Sequence, residues 1–377
     1  MKEKINNLEL SSTLFLLMFS CTLGIAPYIT INLASIDAYF GVIFGFFIGL
    51  IPLFIFIYIF NYEIDKPLHI KTKIIFGNLL GTIINIIIIL IYFILAITTL
   101  YDISNFIISQ YLTDTPIILV AAIFSLTVYH AINKGIIPIC KTSLIYVIII
   151  LVLFILGIIG LVPEIKLENL KPLLTEGIKN PLISGIVYSL ILTTPINSIL
   201  LIPKNNIENN KKTTKYIIIT YLIVAIMIIL ISIITSSCLG RYLLKTYQYP
   251  VYITLKKISI FGFIDRIENF LSIQWILSSF ILLSLTSYYI KSNINKTNNK
   301  LINLFITTII TITPIKIFKN NTTFNNYLNN IYPYILIINI ILFIIIFIFL
   351  CIKKKKQHKI IIQEDKLLYR YRGYIIM

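Results

Sequence analysis

Two short tracts of this 377-residue chain join helix-breaking residues to small or polar ones, and such tracts can bind a small charged ligand. The first contains Gly24 and Pro27, and the second contains Pro195 between Thr194 and Asn197. A proline within a helix has no N–H to donate and clashes with the preceding turn, so nearby backbone groups lose their helical partners. Freed N–H groups suit a carboxylate, and freed carbonyl groups suit a cation or an amine. An amino acid carries both groups, so the tracts predict a small zwitterionic ligand.

The predicted ligand site combines both tracts with one tyrosine from the middle of an apolar segment. Its residues are Gly24, Ile25, Ala26, Pro27, Tyr92, Thr193, Thr194, Pro195 and Asn197. Tyr92 is the least specific member because the chain has 24 tyrosines. Either proline alone is also consistent with a simple bend in a membrane helix, and the pairing of the two tracts favours a site.

Three charged residues, Asp265, Arg266 and Glu268, stand at the start of another apolar segment. Ionisable groups at membrane depth are costly and tend to face the protein interior or a water-filled cavity. Helical spacing would place Asp265 and Glu268 on one face, whereas Arg266 is too close in sequence to pair well with Glu268 within a helix. Arg266 is therefore expected to reach a carboxylate of another segment, a lipid phosphate or water. The cluster is either a clamp between segments or a gate and water pathway on the outer side.

Other residue types that carry chemistry give weaker signals. His130, near the end of a segment, is interpreted as a solvated side chain. Lys141 either extends to the membrane surface or acts as a fixed positive charge near the site. The four cysteines lack the spacing of a metal site or a disulfide framework. With no Ser/His/Asp grouping and no phosphate-binding glycine loop, the sequence predicts no enzyme, no catalytic residue, no metal and no cofactor.

Ten long apolar segments must position these residues. They cover approximately 11–34, 38–60, 74–100, 115–132, 142–162, 182–202, 216–238, 264–290, 300–315 and 331–352. Most reach the roughly 20 residues that an α-helix needs to cross a hydrocarbon core of about 30 Å. Only a helix satisfies its own backbone groups where no water is present. The predicted fold class is therefore all-α, a polytopic membrane protein with ten transmembrane helices.

The two helix-breaking tracts lie in the first and sixth of these segments, which open two halves of five segments each. Paired interruptions at corresponding positions are typical of inverted-repeat transporters, whose ligand lies between the broken helices. The sequence therefore predicts a 5+5 inverted repeat with helices 1 and 6 broken. It places the ligand between segments 1, 3, 6 and 8.

The net charge of +17 is interpreted as a topology signal and not as a nucleic-acid footprint. Lysines and arginines concentrate in alternate connections and in the lysine run 353–356, a distribution that predicts both termini in the cytoplasm. We divide the chain into a permease-like membrane domain over 1–352 and a basic cytoplasmic tail over 353–377. The lysine run is either a topological stop or a contact with anionic membrane lipid or a partner. The first segment lacks the features of a cleavable signal peptide.

Several motifs along the chain occur in an order that is typical of one family. Tyr249-Pro250 is followed by 258–268 (ISIFGFIDRIE) and by Trp275. The tripeptide 37–39 (DAY) begins the second segment, and 169–172 (NLKP) precedes the sixth. This order resembles the spore germination permeases, the B subunits of nutrient germinant receptors in endospore-forming bacteria. The resemblance covers roughly residues 5–352.

The resemblance implies a relation to the amino-acid/polyamine/organocation transporter superfamily and its LeuT-like ten-helix fold. It further implies a subunit in the inner membrane of the dormant spore that senses small nutrients, often amino acids. Such a subunit would work with a larger membrane A subunit and a lipoprotein C subunit. The chain departs from the family at the first break, which is poorer in glycine than usual, and at Ile137, where an acidic residue is common. The resemblance therefore leaves the ligand undefined.

Two functions are consistent with these observations. The first is a receptor subunit that binds a small nutrient, with an amino acid expected, at the broken helices and signals germination. The alternative is a proton-coupled amino-acid permease. Coupling requires a titratable group that changes its exposure, and the predicted segments offer few apart from Lys141 and the carboxylates of segment eight. This scarcity favours the receptor subunit.

Overall fold

Helices make up nearly all of the computed structural model, which describes residues 3–174, 177–256, 266–294 and 299–375, with side chains up to residue 354. The α-helices are α1 Asn7–Leu23, α2 Ile25–Ala34, α3 Ala38–Asn61, α4 Leu68–Phe76, α5 Asn78–Gln110, α6 Ile117–Lys134, α7 Ile136–Leu161, α8 Lys179–Thr193, α9 Thr213–Thr246, α10 Pro250–Lys256, α11 Glu268–Ile294, α12 Lys300–Ile317, α13 Asn321–Asn330 and α14 Tyr332–Ile375. Short 3-10 helices cover Ser35–Asp37, Val162–Glu164, Leu167–Leu170, Pro195–Leu201 and Lys204–Asn206.

Nine helical stretches in the described part of the chain are long and apolar enough to cross a membrane. They are Ile25–Asn61, Asn78–Gln110, Ile117–Lys134, Ile136–Glu164, Lys179–Leu201, Thr213–Thr246, Glu268–Ile294, Lys300–Ile317 and Asn321–Lys354. The chain is a helical, polytopic membrane protein, as predicted. The difference from the predicted ten segments arises in the first, where the apolar helix Asn7–Leu23 has only 17 residues. At 1.5 Å per residue this helix is about 26 Å long, slightly less than the hydrocarbon core.

The first and sixth predicted segments each consist of two helical pieces. In the first, α1 and α2 meet at Gly24, and Pro27 lies in the first turn of α2. Backbone N–H groups of a first turn have no helical partner in any case, so proline is tolerated there. In the sixth, α8 ends at Thr193 and a 3-10 helix begins at Pro195. The arrangement of all the helices as two inverted halves stays a prediction.

A stripe of three glycines on α3 lets the sixth segment approach closely. Gly41, Gly45 and Gly49 recur every four residues and therefore lie on one face of α3. A Cβ atom at Gly45 would lie 2.5 Å from Cδ1 of Tyr188 on α8, and one at Gly49 would lie 2.3 Å from Oη of Tyr221 on α9. Small residues at such positions allow two membrane helices to pack backbone against backbone. The stripe therefore fixes α8 and its Tyr188 beside the first break.

The N-terminal segment is tied to the chain that follows the sixth segment. Ile5 forms a parallel bridge with Ile207. The N–H of Ile5 donates to the carbonyl of Asn206, and the N–H of Glu208 donates to the carbonyl of Ile5, each at 2.9 Å. The Asn7 side chain adds a hydrogen bond of 2.9 Å to the carbonyl of Glu208. The predicted inner ends of the two interrupted segments are therefore joined by backbone hydrogen bonds.

Two short helices, α10 and α13, lie at the opposite end of the bundle, which the topology prediction makes the outer end. The sequence between 239 and 263 is predicted to form short helices over this end, and α10 lies within it. The side chain of Asn105, near the end of α5, bonds both to Tyr249, just before α10, and to Asn321, the first residue of α13. The two short helices are thereby attached to α5.

The last helix, α14, continues beyond residue 352, where the predicted tail begins, to Ile375. The ammonium group of Lys353 donates to the carbonyl of Ile74 at the end of α4. The ammonium group of Lys354 lies 5.7 Å from the ring centre of Tyr58 on α3. The start of the lysine run is therefore packed on α3 and α4.

Candidate ligand site at the helix interruptions

The first interruption is covered by side chains from two other helices. A Cβ atom at Gly24 would lie 2.1 Å from Cζ2 of Trp275 on α11 and 2.5 Å from Oδ2 of Asp102 on α5. Real Cβ atoms do not approach other atoms this closely, so only glycine fits here. Three predicted membrane segments, the first, third and eighth, therefore converge on one backbone position.

Asp102 is the member of this site that sequence reasoning missed. Its side chain is buried, with 3% of the residue exposed. Its carboxylate has no hydrogen bond and no ion pair among the described residues. The third segment was predicted to end at residue 100, whereas α5 runs to Gln110. The missed signal is the absence of any glycine or proline between 100 and 110, together with the apolar residues that follow the aspartate.

Four aromatic side chains pack together, and one of them, Trp275, lies against Gly24 at the first interruption; we call them the aromatic cover: Phe106, Tyr249, Tyr252 and Trp275. The Phe106 ring centre lies 4.6 Å from that of Trp275, 5.1 Å from that of Tyr249 and 5.2 Å from that of Tyr252. The rings of Tyr249 and Trp275 are 5.4 Å apart. Asn105 donates to the Tyr249 hydroxyl at 2.8 Å. Burial, and then the nearby Asp102 carboxylate, raises the pKa of Tyr249 well above its ordinary value.

A small cavity lies beside the first interruption. It has a volume of about 30 Å³, and its lining includes Ala26 and Pro27 of α2, Tyr188 of α8 and Thr235 of α9. The hydroxyl groups of Tyr188 and Thr235 have no hydrogen-bond partner in the described structure. A cavity of this size holds about two water molecules.

The second interruption is held mainly by local hydrogen bonds. The Thr193 hydroxyl donates to the carbonyl of Ser189 at 2.7 Å, within its own segment. The Thr194 hydroxyl accepts a bond of 3.3 Å from the Asn339 side chain on α14, and the Asn339 carbonyl oxygen has no partner within the described residues. Asn197 is buried. The 3-10 helix Pro195–Leu201 contacts α1, α3, α4 and α11. Thr194, just before it, is bonded to Asn339 of the last helix.

The structure places the predicted ligand residues in three neighbourhoods. Gly24 meets Trp275 and Asp102, while Ala26 and Pro27 line the small cavity. Thr194 meets Asn339. Ile25, Thr193 and Pro195 are buried at the two interruptions. Tyr92 on α5 packs against Tyr289 on α11 with ring centres 4.6 Å apart, and both hydroxyl groups lack a partner in the described structure.

The predicted gate residues differ from expectation in one respect. Asp265 lies outside the described residues. Nε of Arg266 lies 3.7 Å from Oε1 of Glu268, whereas the sequence predicted that Arg266 would reach a carboxylate of another segment, a lipid phosphate or water. The helix begins only at Glu268, and Arg266 precedes it with φ +72°, so helical spacing does not apply. Arg266 is exposed and Glu268 is buried, which places this pair at the surface end of α11.

Two other predicted residues lie away from the interruptions. Lys141 is exposed and pairs with Glu3, so it does not supply a buried charge at either interruption. His130 lines a groove of about 890 Å³ between α6, α7 and α11. Among the residues that the structure describes, no three His, Cys, Asp or Glu side chains lie close enough together to hold a metal ion.

A bundle of apolar helices that are long enough to cross a bilayer is the organisation of a polytopic membrane protein. The sequence model of the family described as spore germination protein matches residues 4–326, and the chain belongs to this family. It is 27% identical over 285 residues to spore germination protein KB of Bacillus subtilis, covering 73% of this chain and 74% of that protein. It is 26% identical over 264 residues to spore germination protein XB of Bacillus anthracis, covering 68% of this chain and 72% of that protein. The predicted family is confirmed.

Proposed function

We propose that this protein is the permease-like subunit of a spore germinant receptor, which binds a small nutrient at the interruptions of segments 1 and 6 and signals germination. An amino acid is the expected nutrient. The family supports a role in germination, and the packing at Gly24 supports the position of the site. There a helix interruption, a buried carboxylate and a tryptophan from three segments meet.

In this proposal the backbone at Gly24–Pro27 and Thr193–Asn197 holds the charged ends of the nutrient. Thr194 and Asn197 orient it, and Tyr92 lines its pocket. The nutrient signals by favouring an open form over the closed one, because a ligand shifts an equilibrium only through its different affinities for two states. In this proposal the cavity of about 30 Å³ beside Ala26 and Pro27 forms one part of the closed pocket.

The proposal includes the arrangement of the chain in the membrane. Residues 1–352 form a ten-helix 5+5 inverted repeat, and 353–377 form a basic tail, with both termini in the cytoplasm. The protein lies in the inner membrane of the spore and assembles with the A and C subunits of the receptor. Arg266 and Glu268, together with Asp265, form a gate or a water pathway at the outer side.

The proposal is tested by germination of spores that carry Thr194→Val or Asn197→Ala. Both variants should raise the nutrient concentration needed for half-maximal germination, because each removes a polar group from the second interruption. Thr308→Val is the matched control, since Thr308 is exposed on α12 and bonds only to its own helix at Leu304. Immunoblots of spore membranes establish equal amounts of protein. Unchanged nutrient sensitivity in both variants would refute this position of the site.

A proton-coupled amino-acid permease is the second candidate, and Asp102 favours it. The sequence suggests few titratable groups within the segments, but the structure adds this buried carboxyl group next to the first interruption. A pH gradient across proteoliposomes separates the two functions. Gradient-driven accumulation of a labelled amino acid by the purified protein would establish the permease, and binding without accumulation would favour the receptor subunit.

A further inference from the structure

We infer that Asp102 and the aromatic cover form the binding site for the ammonium group of the nutrient, so that the ligand is a small organic amine. This inference rests on the proposed function and narrows its ligand. It assigns Asp102, Phe106, Tyr249 and Trp275 a binding role beyond the two helix interruptions.

The first argument is the missing partner of the Asp102 carboxyl group. Burying an ionised carboxylate is costly unless a cation or hydrogen-bond donors compensate it. The described residues provide neither. Among the described residues two lysines are buried, and both are bound elsewhere, Lys71 to the carbonyl of Ile59 at 3.0 Å and Lys291 to the carbonyl of Ile132 at 3.4 Å. The carboxylate is therefore available to a cation that enters from outside.

The second argument is the kind of side chain that surrounds Asp102. Phe106 lies one helical turn beyond it on α5, so the two share a face. Trp275 approaches the same backbone position as Asp102 and contacts the rings of Phe106 and Tyr249. Aromatic faces carry a partial negative charge and attract ammonium groups. A carboxyl group beside this aromatic cluster favours an amine and disfavours an anion.

The third argument is the direction of the helices at Gly24. The C-terminus of α1, which carries the negative end of its dipole, and the N-terminus of α2, which carries the positive end, both meet there. The α1 end and Asp102 together favour an ammonium group. The α2 end favours a carboxylate a few ångströms away. An α-amino acid would therefore bind with its ammonium group toward Asp102 and α5.

Pairs of ligands that differ only in the amine test the inference on the unmodified protein. The full-length chain is reconstituted in nanodiscs, and its thermal unfolding is measured with each of the twenty amino acids and with the corresponding deaminated acids, such as propionate for alanine. Sugars and nucleosides complete the panel. At least one amino acid should stabilise the protein, and its deaminated partner should not.

Asp102→Asn then identifies the group responsible. The amide has the shape of the carboxylate but no charge, so the dissociation constant of the stabilising amino acid should rise about 10- to 100-fold. Asp114→Asn is the matched control, because Asp114 is exposed in the connection after α5 and should leave binding unchanged. The same variants in spores should shift the germination dose response by a similar factor.

The outcomes separate this inference from the proposed function. Equal stabilisation by an amino acid and its deaminated partner, or unchanged affinity in Asp102→Asn, would overturn the ammonium site and leave nutrient binding intact. Stabilisation by sugars or nucleosides alone would also overturn the ammonium site and leave nutrient binding intact. If no compound stabilises the protein and spores with the wild-type chain respond to none of them through this protein, both the inference and the proposed function are wrong.

Discussion

The two helix interruptions, so alike in sequence, differ in how their polar groups are satisfied. At the first, a buried carboxylate without a described partner lies against Gly24 and beside aromatic rings from α5, α11 and the segment before α10. At the second, neutral groups bond within their own segment, and one bond of 3.3 Å reaches α14.

This difference suggests that the two interruptions recognise different parts of the ligand. A buried carboxyl group without a partner contributes strongly when a ligand brings a cation, because an ionised carboxylate is costly to bury alone. Neutral hydroxyl and amide groups contribute less energy and depend more on geometry. The first interruption is therefore suited to selecting a charged group, and the second to sensing the shape and orientation of the rest of the ligand.

The largest effect is expected from Gly24→Ala. The new methyl group would overlap Trp275 and Asp102, and overpacking of a rigid core costs about 1–3 kcal/mol, with more expected here because two side chains are displaced. The variant should unfold at a clearly lower temperature and should not support germination. Thermal unfolding in nanodiscs measures the first effect.

Gly157→Ala provides the control for this substitution. A Cβ atom at Gly157 on α7 would meet only Cδ2 of Leu255, at an ordinary 3.7 Å. Its unfolding temperature should remain close to that of the unmodified protein. Similar behaviour of the two alanine variants would show that the first interruption is not tightly packed, and the contrast between the two sites would disappear.

Asn105→Ala should cause the next largest loss of stability. Asn105 holds the Tyr249 hydroxyl at 2.8 Å and the exposed Asn321 side chain at 3.2 Å, so its loss leaves the buried Tyr249 hydroxyl without this donor. A cost of about 1–3 kcal/mol is expected for such a loss. Because the aromatic cover is loosened, the rate of nutrient association should also rise, which surface plasmon resonance on the immobilised protein measures.

Asn339→Ala removes a hydrogen-bonding side chain at the second interruption. It should destabilise the protein less than Asn105→Ala does. It removes a single bond of 3.3 Å to Thr194, and interhelical hydrogen bonds within membranes contribute about 0.6 kcal/mol on average. A double-mutant cycle with Thr194→Val isolates this contribution. A coupling energy equal to or greater than the cost of Asn105→Ala would reverse the proposed contrast between the interruptions.

The last prediction concerns pH and the surroundings of the second interruption. Lys71 lies on α4, which contacts the 3-10 helix Pro195–Leu201, and burial lowers the pKa of Lys71 from 10.5 to about 8. Between these pH values the unfolded chain binds more protons than the folded chain. The free energy of unfolding should therefore rise as pH increases from about 8 to 10.5. Lys71→Met should lose this rise in thermal unfolding measured across that range, whereas an unchanged slope would exclude Lys71 as its source.

The membrane fold and the family were predictable because both depend on patterns that are local or ordered along the chain. Apolar runs identify spanning helices without knowledge of their neighbours, and the prolines at 27 and 195 mark where helices cannot continue. The positions of these prolines at the start of new helical pieces agree with the steric rule for proline.

Contacts between distant segments were not predictable in the same way. Asp102 follows the last strongly apolar run of its segment, and hydropathy does not reveal that Trp275 of α11 meets it at Gly24. The pairing of Arg266 with Glu268 depends on where α11 begins, and boundaries are poorly defined by sequence. Asn339 was missed for a third reason, since a single amide within an apolar helix gives no indication of its partner.

The bridge between Ile5 and Ile207 has a consequence for the timing of motion. The bridge joins the chain just before α1 to the chain just after the 3-10 helix of the sixth segment, through two backbone hydrogen bonds. Neither end can swing away alone without breaking both bonds, so the two segments form one cooperative unit at this side of the membrane. The amide hydrogens of Ile5 and Glu208 should accordingly exchange with solvent at one common rate, and that rate reports how often the inner side opens.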